Sequence, residues 1–110
     1  MPSFSDFLLL DIRIGTIVKA EAFPEARQPA YKLEIDFGKD IGIKNSSAQI
    51  TDLYELENLV GKQIVAVVNF PPKQIGPFIS ECLVLGAYNE DGAVVLLQPD
   101  QATPNGSKIG

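Results

Sequence analysis

Apolar and polar residues alternate cleanly in Tyr31-Lys32-Leu33-Glu34-Ile35-Asp36-Phe37, and that period of two predicts a strand with one buried face. From Ile12 to Phe23 the even positions Ile12, Ile14, Val18, Ala20 and Ala22 are apolar, whereas Arg13, Lys19 and Glu21 are charged. A second half-buried strand is predicted there. Ile17 breaks its phase, and a bulge at Gly15–Thr16 is the expected reason. Phe23 to Pro29 reads as a loop and Gly38-Lys39-Asp40 as a turn. A third strand starts at Ile41 and runs into the polar stretch Lys44-Asn45-Ser46-Ser47-Ala48-Gln49. Asp52 and Glu55 then have capping-box spacing for a helix with Leu53, Leu56, Leu59 and Val60 on one face and Gly61 at its end. Further strands are predicted over Gln63–Val68, Ser80–Ala87 and Ala93–Leu97. Near the start, Ser3 or Ser5 caps a short helix through Asp6 to Leu10, with Asp6 at the positive end of its dipole.

Ile64–Val68 and Ser80–Leu85 are apolar enough to be core strands, and the segment between them is broken by Pro71, Pro72 and Pro77. These prolines remove three backbone donors and fix three φ angles, which keeps the segment out of a sheet interior. A stiff, exposed loop is expected. It carries Asn69, Phe70, Lys73, Phe78 and Ser80, and function more often sits on such a loop than in the strands holding it. Pro99 to Gly110 is longer than a barrel needs, and its lone apolar Ile109 predicts a tail packed on something. The pattern as a whole predicts a small, mostly β barrel with short helices, residues 1–110 forming one domain.

Composition narrows the setting. One domain of 110 residues buries only about two-thirds of its unfolded surface, so a dimer would help it. Its longest apolar runs, Ile64–Val68 and Ala93–Leu97, are five residues, against the roughly 20 that span a bilayer. No basic n-region opens the chain, Phe7–Leu10 is too short for a signal-peptide core, and Cys82 is the lone cysteine. A cytoplasmic protein without membrane insertion is expected. The net charge of −5 has the wrong sign for bulk attraction to phosphate. Residues 1–50 carry six basic and seven acidic groups and residues 51–110 three and seven, so a local basic face from the first half stays open.

Catalytic chemistry finds little support. Histidine is absent, which removes the commonest general base and metal ligand. Cys82 lies in an apolar run with nothing to activate it and reads as a core residue. Glu34/Asp36 and Glu55/Glu57 alternate with apolar residues as a solvated face does, no group has metal-ligand spacing, and no glycine-rich phosphate loop occurs. The expectation is a binding protein with no enzyme activity, metal or cofactor.

Two sets of motifs carry a resemblance. Asp11-Ile12-Arg13-Ile14-Gly15 with Phe23-Pro24-Glu25-Ala26, and Asn69-x-x-Pro72-Lys73-x-Ile75 with Ser80-Glu81-x-Leu83-Val84-Leu85, resemble the tRNA-binding domain appended to several aminoacyl-tRNA synthetases. Ser46-Ser47-Ala48-Gln49-Ile50, Asn69-Phe70-Pro71-Pro72 and Leu97-Gln98-Pro99-Asp100-Gln101 resemble its free-standing CsaA branch of homodimeric, export-related chaperones. The likeness spans residues 5 to 110. It implies an all-β, five-stranded OB-fold barrel with a helix between strands three and four and N- and C-terminal extensions. It also implies a homodimer that binds unfolded or presecretory, export-competent polypeptides, or alternatively a protein that binds tRNA in trans.

Each function has candidate residues. OB barrels combine cations with aromatic platforms to hold nucleic acid, and Arg13, Lys32, Lys44, Asn69, Lys73 and Ser80 are the polar candidates, Lys73 at a basic position of the family motif. Around Lys73 the chain departs from that motif: Gln74 and Gly76 replace usually basic residues, Pro77 replaces glycine, and Leu83 replaces methionine. The departures remove charge and leave an apolar loop surface, with Phe70, Ile75 and Phe78 as the peptide-binding candidates. The competing reading has Phe70 and Phe78 packing back on the barrel. Leu8, Leu9, Leu10 and Ile109, from opposite ends of the chain, are expected to meet at or beside the dimer interface.

Overall fold

The computed structural model describes residues 1–110. In chain order it contains α1 (Phe4–Leu8), β1 (Ile12–Ala22), β2 (Tyr31–Asp36), β3 (Ile43–Ala48), α2 (Leu56–Leu59), β4 (Gln63–Val67), β5 (Lys73–Ile75), β6 (Phe78–Ser80), β7 (Leu83–Val84), β8 (Gly86–Tyr88) and β9 (Val94–Leu96). Five strands form an antiparallel sheet in the order β3-β2-β1-β4-β7, while β5–β6 and β8–β9 form separate hairpins. The main sheet curls into a nearly closed barrel with α2 between its third and fourth strands, the arrangement of an OB-like fold. No helix is long and apolar enough to cross a membrane.

The alternation in β2 sends Leu33 and Ile35 into the barrel core, where they join Ile17, Phe37, Leu59, Ile64 and Ala66. β4 is buried on both faces: Ile64 and Ala66 face that core, while Val65 and Val67 join Ile12 and Ile14 in a second cluster outside it. This explains Ile17. The first half of β1 also has two buried faces, so the phase changes there without a bulge at Gly15–Thr16. The register irregularity comes later, between Ile17 and Lys19 at Val18. Gly15 lies on the inward face, where an added Cβ would stand 2.6 Å from Ile35 Cγ2 and 2.7 Å from the Phe37 ring.

Both chain ends cover the outer cluster, through Phe7, Leu10 and Ile109, together with Leu85. Ser3 caps α1 in a capping box with Asp6. The tail runs beside β1: the Ile14 N–H donates to Ser107 O (3.0 Å), the Gly106 N–H to Ile14 O (2.7 Å) and the Ile109 N–H to Ile12 O (2.9 Å). Asn105 Oδ1 fixes this strap by accepting from Thr16 Oγ1 (2.7 Å) and Gln63 Nε2 (3.2 Å).

Three further elements differ from the pattern-based expectation. α2 is a single turn with Glu55 at its N-cap and no side-chain capping bond, so the Asp52/Glu55 box is not made. Leu53 falls outside that turn and is exposed; Leu59 alone anchors it in the core. The proline-broken segment contains the β5–β6 hairpin, with Gly76 at φ +58° in its turn. Pro71 and Pro72 precede β5 and Pro77 occupies the turn, so none interrupts a ladder. The expected strand Ser80–Ala87 is split because the chain changes partner from β5 to β4 to β9 along it.

Candidate binding face

Register decides which polar residues share a face. Lys32 pairs with Ser47 across β2–β3, Lys73 pairs with Ser80 across β5–β6, and the Ser47 N–H donates to Ser80 Oγ (3.2 Å). Lys32, Ser47, Ser80 and Lys73 therefore form one row outside the barrel, between the 23–30 loop and the hairpin. Strands 2 and 3 with their flanking loops are where OB folds bind ligands. Lys44 pairs with Ile35, a core residue, so it lies on the opposite side of the sheet from Lys32.

The hairpin closes most of the barrel. The Asn45 N–H donates to Glu81 Oε1 (2.9 Å), the Glu81 N–H to Asn45 O (2.8 Å) and Ser46 Oγ to Cys82 O (3.0 Å). These contacts bury Cys82, and burial pushes its thiol up from 9.0 to about 11, the opposite of an activated nucleophile. No group of three or more His, Cys, Asp or Glu residues is placed to hold a metal ion.

Three nucleic-acid candidates already have partners inside the fold. Arg13 Nε meets Asp11 Oδ1 at 2.6 Å and its Nη1 donates to Gly106 O at 3.0 Å, gripping the tail. Asn69 Oδ1 accepts from the Asp11 N–H (2.9 Å) while its Nδ2 donates to Leu9 O (2.9 Å), tying the end of α1 to the end of β4. Ser80 is part of the barrel closure. Lys32 lies with its Nζ 5.6 Å from the centroid of Phe23, a cation–π distance. Phe78 meets Phe23 edge-on, with centroids 5.3 Å apart. Because Phe23 is only 4% exposed, that ring is packing, and no base can stack on it. Lys19 pairs with Glu21 (3.3 Å) and Glu34 (3.7 Å), first of all the hydrogen bond and charge of Glu21 raising its pKa. Lys73 is exposed and makes no ion pair within 4 Å, which leaves it the freest cation of this row.

The peptide candidates divide. Ile75 and Phe78 face each other across the hairpin; Ile75 lines a cleft and Phe78 is half-buried against Phe23. Phe70, just before the prolines, is 42% exposed, and Ile79, paired with Gln74 on the other hairpin face, is 48% exposed. Of the interface candidates, Leu10 and Ile109 each pack on the outer cluster within one copy, while Leu8 and Leu9 stand exposed, as does Phe4.

Two clefts follow the edge of β3. One, of about 580 Å³, lies between the 23–30 loop and the hairpin and is lined by Arg27, Lys73 and Ile75 among others. The second, of about 530 Å³, lies between the end of β3 and Leu83–Gly86, with Ile50, Tyr88, Val94 and Leu96 in its walls. They share Gln28, Ser47 and Gln49 and so form one trough, with Arg27 and Lys73 beside Glu25 towards the hairpin and apolar side chains interleaved with polar ones towards β7. Gln28, Gln49, Leu83, Leu85 and Tyr88 were not among the candidates from sequence. The polar step Ser47–Gln49 at the end of a strand was the available signal.

The family described as "Putative tRNA binding domain" matches residues 12–108. Two solved structures cover the whole chain at TM-score 0.94: chaperone CsaA of Bacillus anthracis, 62% identical over 99% of its own length, and CsaA of Picrophilus torridus, 57% identical over 100%. Methionine–tRNA ligase of Bacteroides fragilis is 32% identical over 106 residues, or 96% of this chain. The chain spans about 15% of the length of the curated relatives it matches. With residues 12–108 matched, the chain belongs to the tRNA-binding domain family, and it is similar to CsaA proteins from end to end.

Proposed function

We propose that this chain is a non-catalytic, cytoplasmic binding protein that works as a homodimer and holds unfolded or export-competent polypeptides in the trough. The observation that carries the reading is the union of the two clefts at Gln28, Ser47 and Gln49. An extended polypeptide needs polar partners for its main chain and apolar walls for its side chains, and this trough offers both. The similarity to two proteins described as CsaA chaperones supports it. Ile75, Phe78 and Phe70 supply apolar contact at the hairpin. Burying each such side chain is worth about 1.5–3 kcal/mol; after the ordering cost of a flexible client, micromolar affinity remains. That suits a chaperone that must release what it holds. Exposed Phe4, Leu8 and Leu9 beside the outer cluster supply an apolar patch for a second copy, and a single monomeric species in sedimentation at micromolar concentration would refute the dimer.

A second reading, tRNA bound in trans, is favoured by the family and by the row that places Lys32 and Lys73 on one face. Competition between an unfolded apolar–basic peptide and bulk tRNA separates the two, with Phe78→Ser as the control. Because Phe78 is half-buried against Phe23, the substitution should lower stability by about 1 kcal/mol and weaken peptide binding several-fold. Retention of tRNA at low salt with no peptide binding would reverse the order of the two readings.

A further inference from the structure

The barrel seam between β3 and β7 closes at one end and opens at the other. Main-chain groups of neighbouring residues in a strand point to opposite edges. On β3 the odd-numbered residues face the seam: Asn45 and Ser47 are taken up by Glu81 and Ser80. Gln49, exposed and one residue past the end of β3, is the next odd residue, and neither its N–H nor its C=O has an intramolecular partner. On β7 the Leu85 N–H donates to Val65 O, and Val67 pairs with Leu83. The same alternation turns the main chain of Val84 away from β4 and towards the seam. Leu85 O accepts from the Leu97 N–H, β8 pairs with β9, and the strand partner of Val84 is Ala66 on β4. Gln49 and Val84 both line the cleft of about 530 Å³, as do Ile50, Leu83 and Tyr88.

We infer that the open seam is a slot for β-strand addition: a client polypeptide inserts an extended segment there and pairs its own main chain with Gln49 and Val84. This rests on the polypeptide-binding reading and specifies what is recognised. Unmatched main-chain donors and acceptors beside an apolar wall complement an extended backbone, whatever its side chains. A segment of three or four residues, about 10–13 Å long, fills the open end before the turn at Thr51–Leu53 stops the β3 edge. That short length also limits pairing between copies, since long exposed edges are what invite aggregation. The slot tolerates many sequences and rejects segments that lack the necessary amides.

The test uses a soluble peptide of about nine residues alternating valine with serine, with a lysine at each end, and its twin N-methylated at every second residue. The unmodified peptide should bind the whole protein, and the amides of Gln49 and Val84 should exchange about tenfold more slowly in the complex. The methylated twin, with the same side chains but without those donors, should bind about ten- to a hundredfold more weakly. Equal binding of the twins, or protection confined to the 73–80 hairpin, would overturn the slot and leave polypeptide binding intact. Protection of Gln49 and Val84 that rises with protein concentration alone would overturn it in favour of pairing between two copies. Failure of the unmodified peptide to bind at all would overturn the slot together with the reading beneath it.

Discussion

The free edge of β1 in its first half is covered by the chain's own tail, while the edge of β3 beyond Ser47 is covered by nothing. On the strap side the two candidates from sequence, Arg13 and Asn69, have partners, Gly106 for one and Leu9 and Asp11 for the other, and Asn105 likewise holds Thr16 and Gln63. On the seam side Gln49 has unspent main-chain groups, Lys73 is exposed, and Ile50, Leu83, Val94 and Leu96 give the walls apolar area. Fold and binding thus draw on the same residue types, and satisfaction separates them. A buried or half-buried polar group with its partners in place is architecture; an exposed one beside a cleft, as at Gln49, is held only by solvent and is free to meet a ligand.

Core and hairpin should differ most in the cost of truncating an isoleucine. Ile64 is fully buried where β1 and β4 pair, whereas Ile79 is 48% exposed on the hairpin. Ile64→Ala should cost about 2–5 kcal/mol in urea unfolding and Ile79→Ala less than about 0.5. Similar costs would mean that the hairpin belongs to the cooperative core and the contrast is false.

Cys82 marks the point where the seam closes, so its titration reports that closure. Its folded pKa of about 11 lies above its ordinary 9.0, so above pH 9 the unfolded chain gives up the proton first. The contribution is fully present below about pH 9 and is lost as pH rises through 11, by at most about 3 kcal/mol. The stability gap between the native protein and Cys82→Ala should therefore shrink from pH 8 to pH 11. A constant gap would mean that the seam is wet at Cys82.

The strap gives a smaller effect. Asn105→Ala removes two side-chain hydrogen bonds and Asn69→Ala two more, each bond worth roughly 0.5–1.5 kcal/mol. Both variants should melt several degrees lower, and neither should change peptide affinity. A binding defect without a melting shift would place Asn69 in the ligand site.

These contrasts show what the residue pattern can carry. Period-two alternation found β1 and β2, an unbroken apolar run found β4, and the leucine spacing found the helix between β3 and β4, because the burial of each is written locally. It misassigned the Ile17 phase change, because a second buried face on β1 depends on α1 and the tail, far away in sequence. The site suffered more. Asn69 has a partner 60 residues away, and no local signal distinguishes a clasp from a ligand contact. Lys32 and Lys44 looked alike until register placed them on opposite sides of the sheet. Gln49 matters for its main chain, which a residue name does not describe.

The smallest effect separates the cations. Arg13→Ala releases both Asp11 and Gly106, so stability should fall by about 1 kcal/mol while the ionic strength dependence of any tRNA binding stays the same. Lys73 is exposed and makes no ion pair, so Lys73→Ala should leave stability within about 0.5 kcal/mol. If tRNA lies along the Lys32–Lys73 row, that variant loses one phosphate contact and the log–log salt slope should drop by about 0.9. Filter binding at several salt concentrations, read beside thermal melts of the same two variants, checks both halves. A reduced slope for Arg13→Ala at unchanged stability would put the strap, with its apparently satisfied groups, on the binding side, and the division between the two edges would fall.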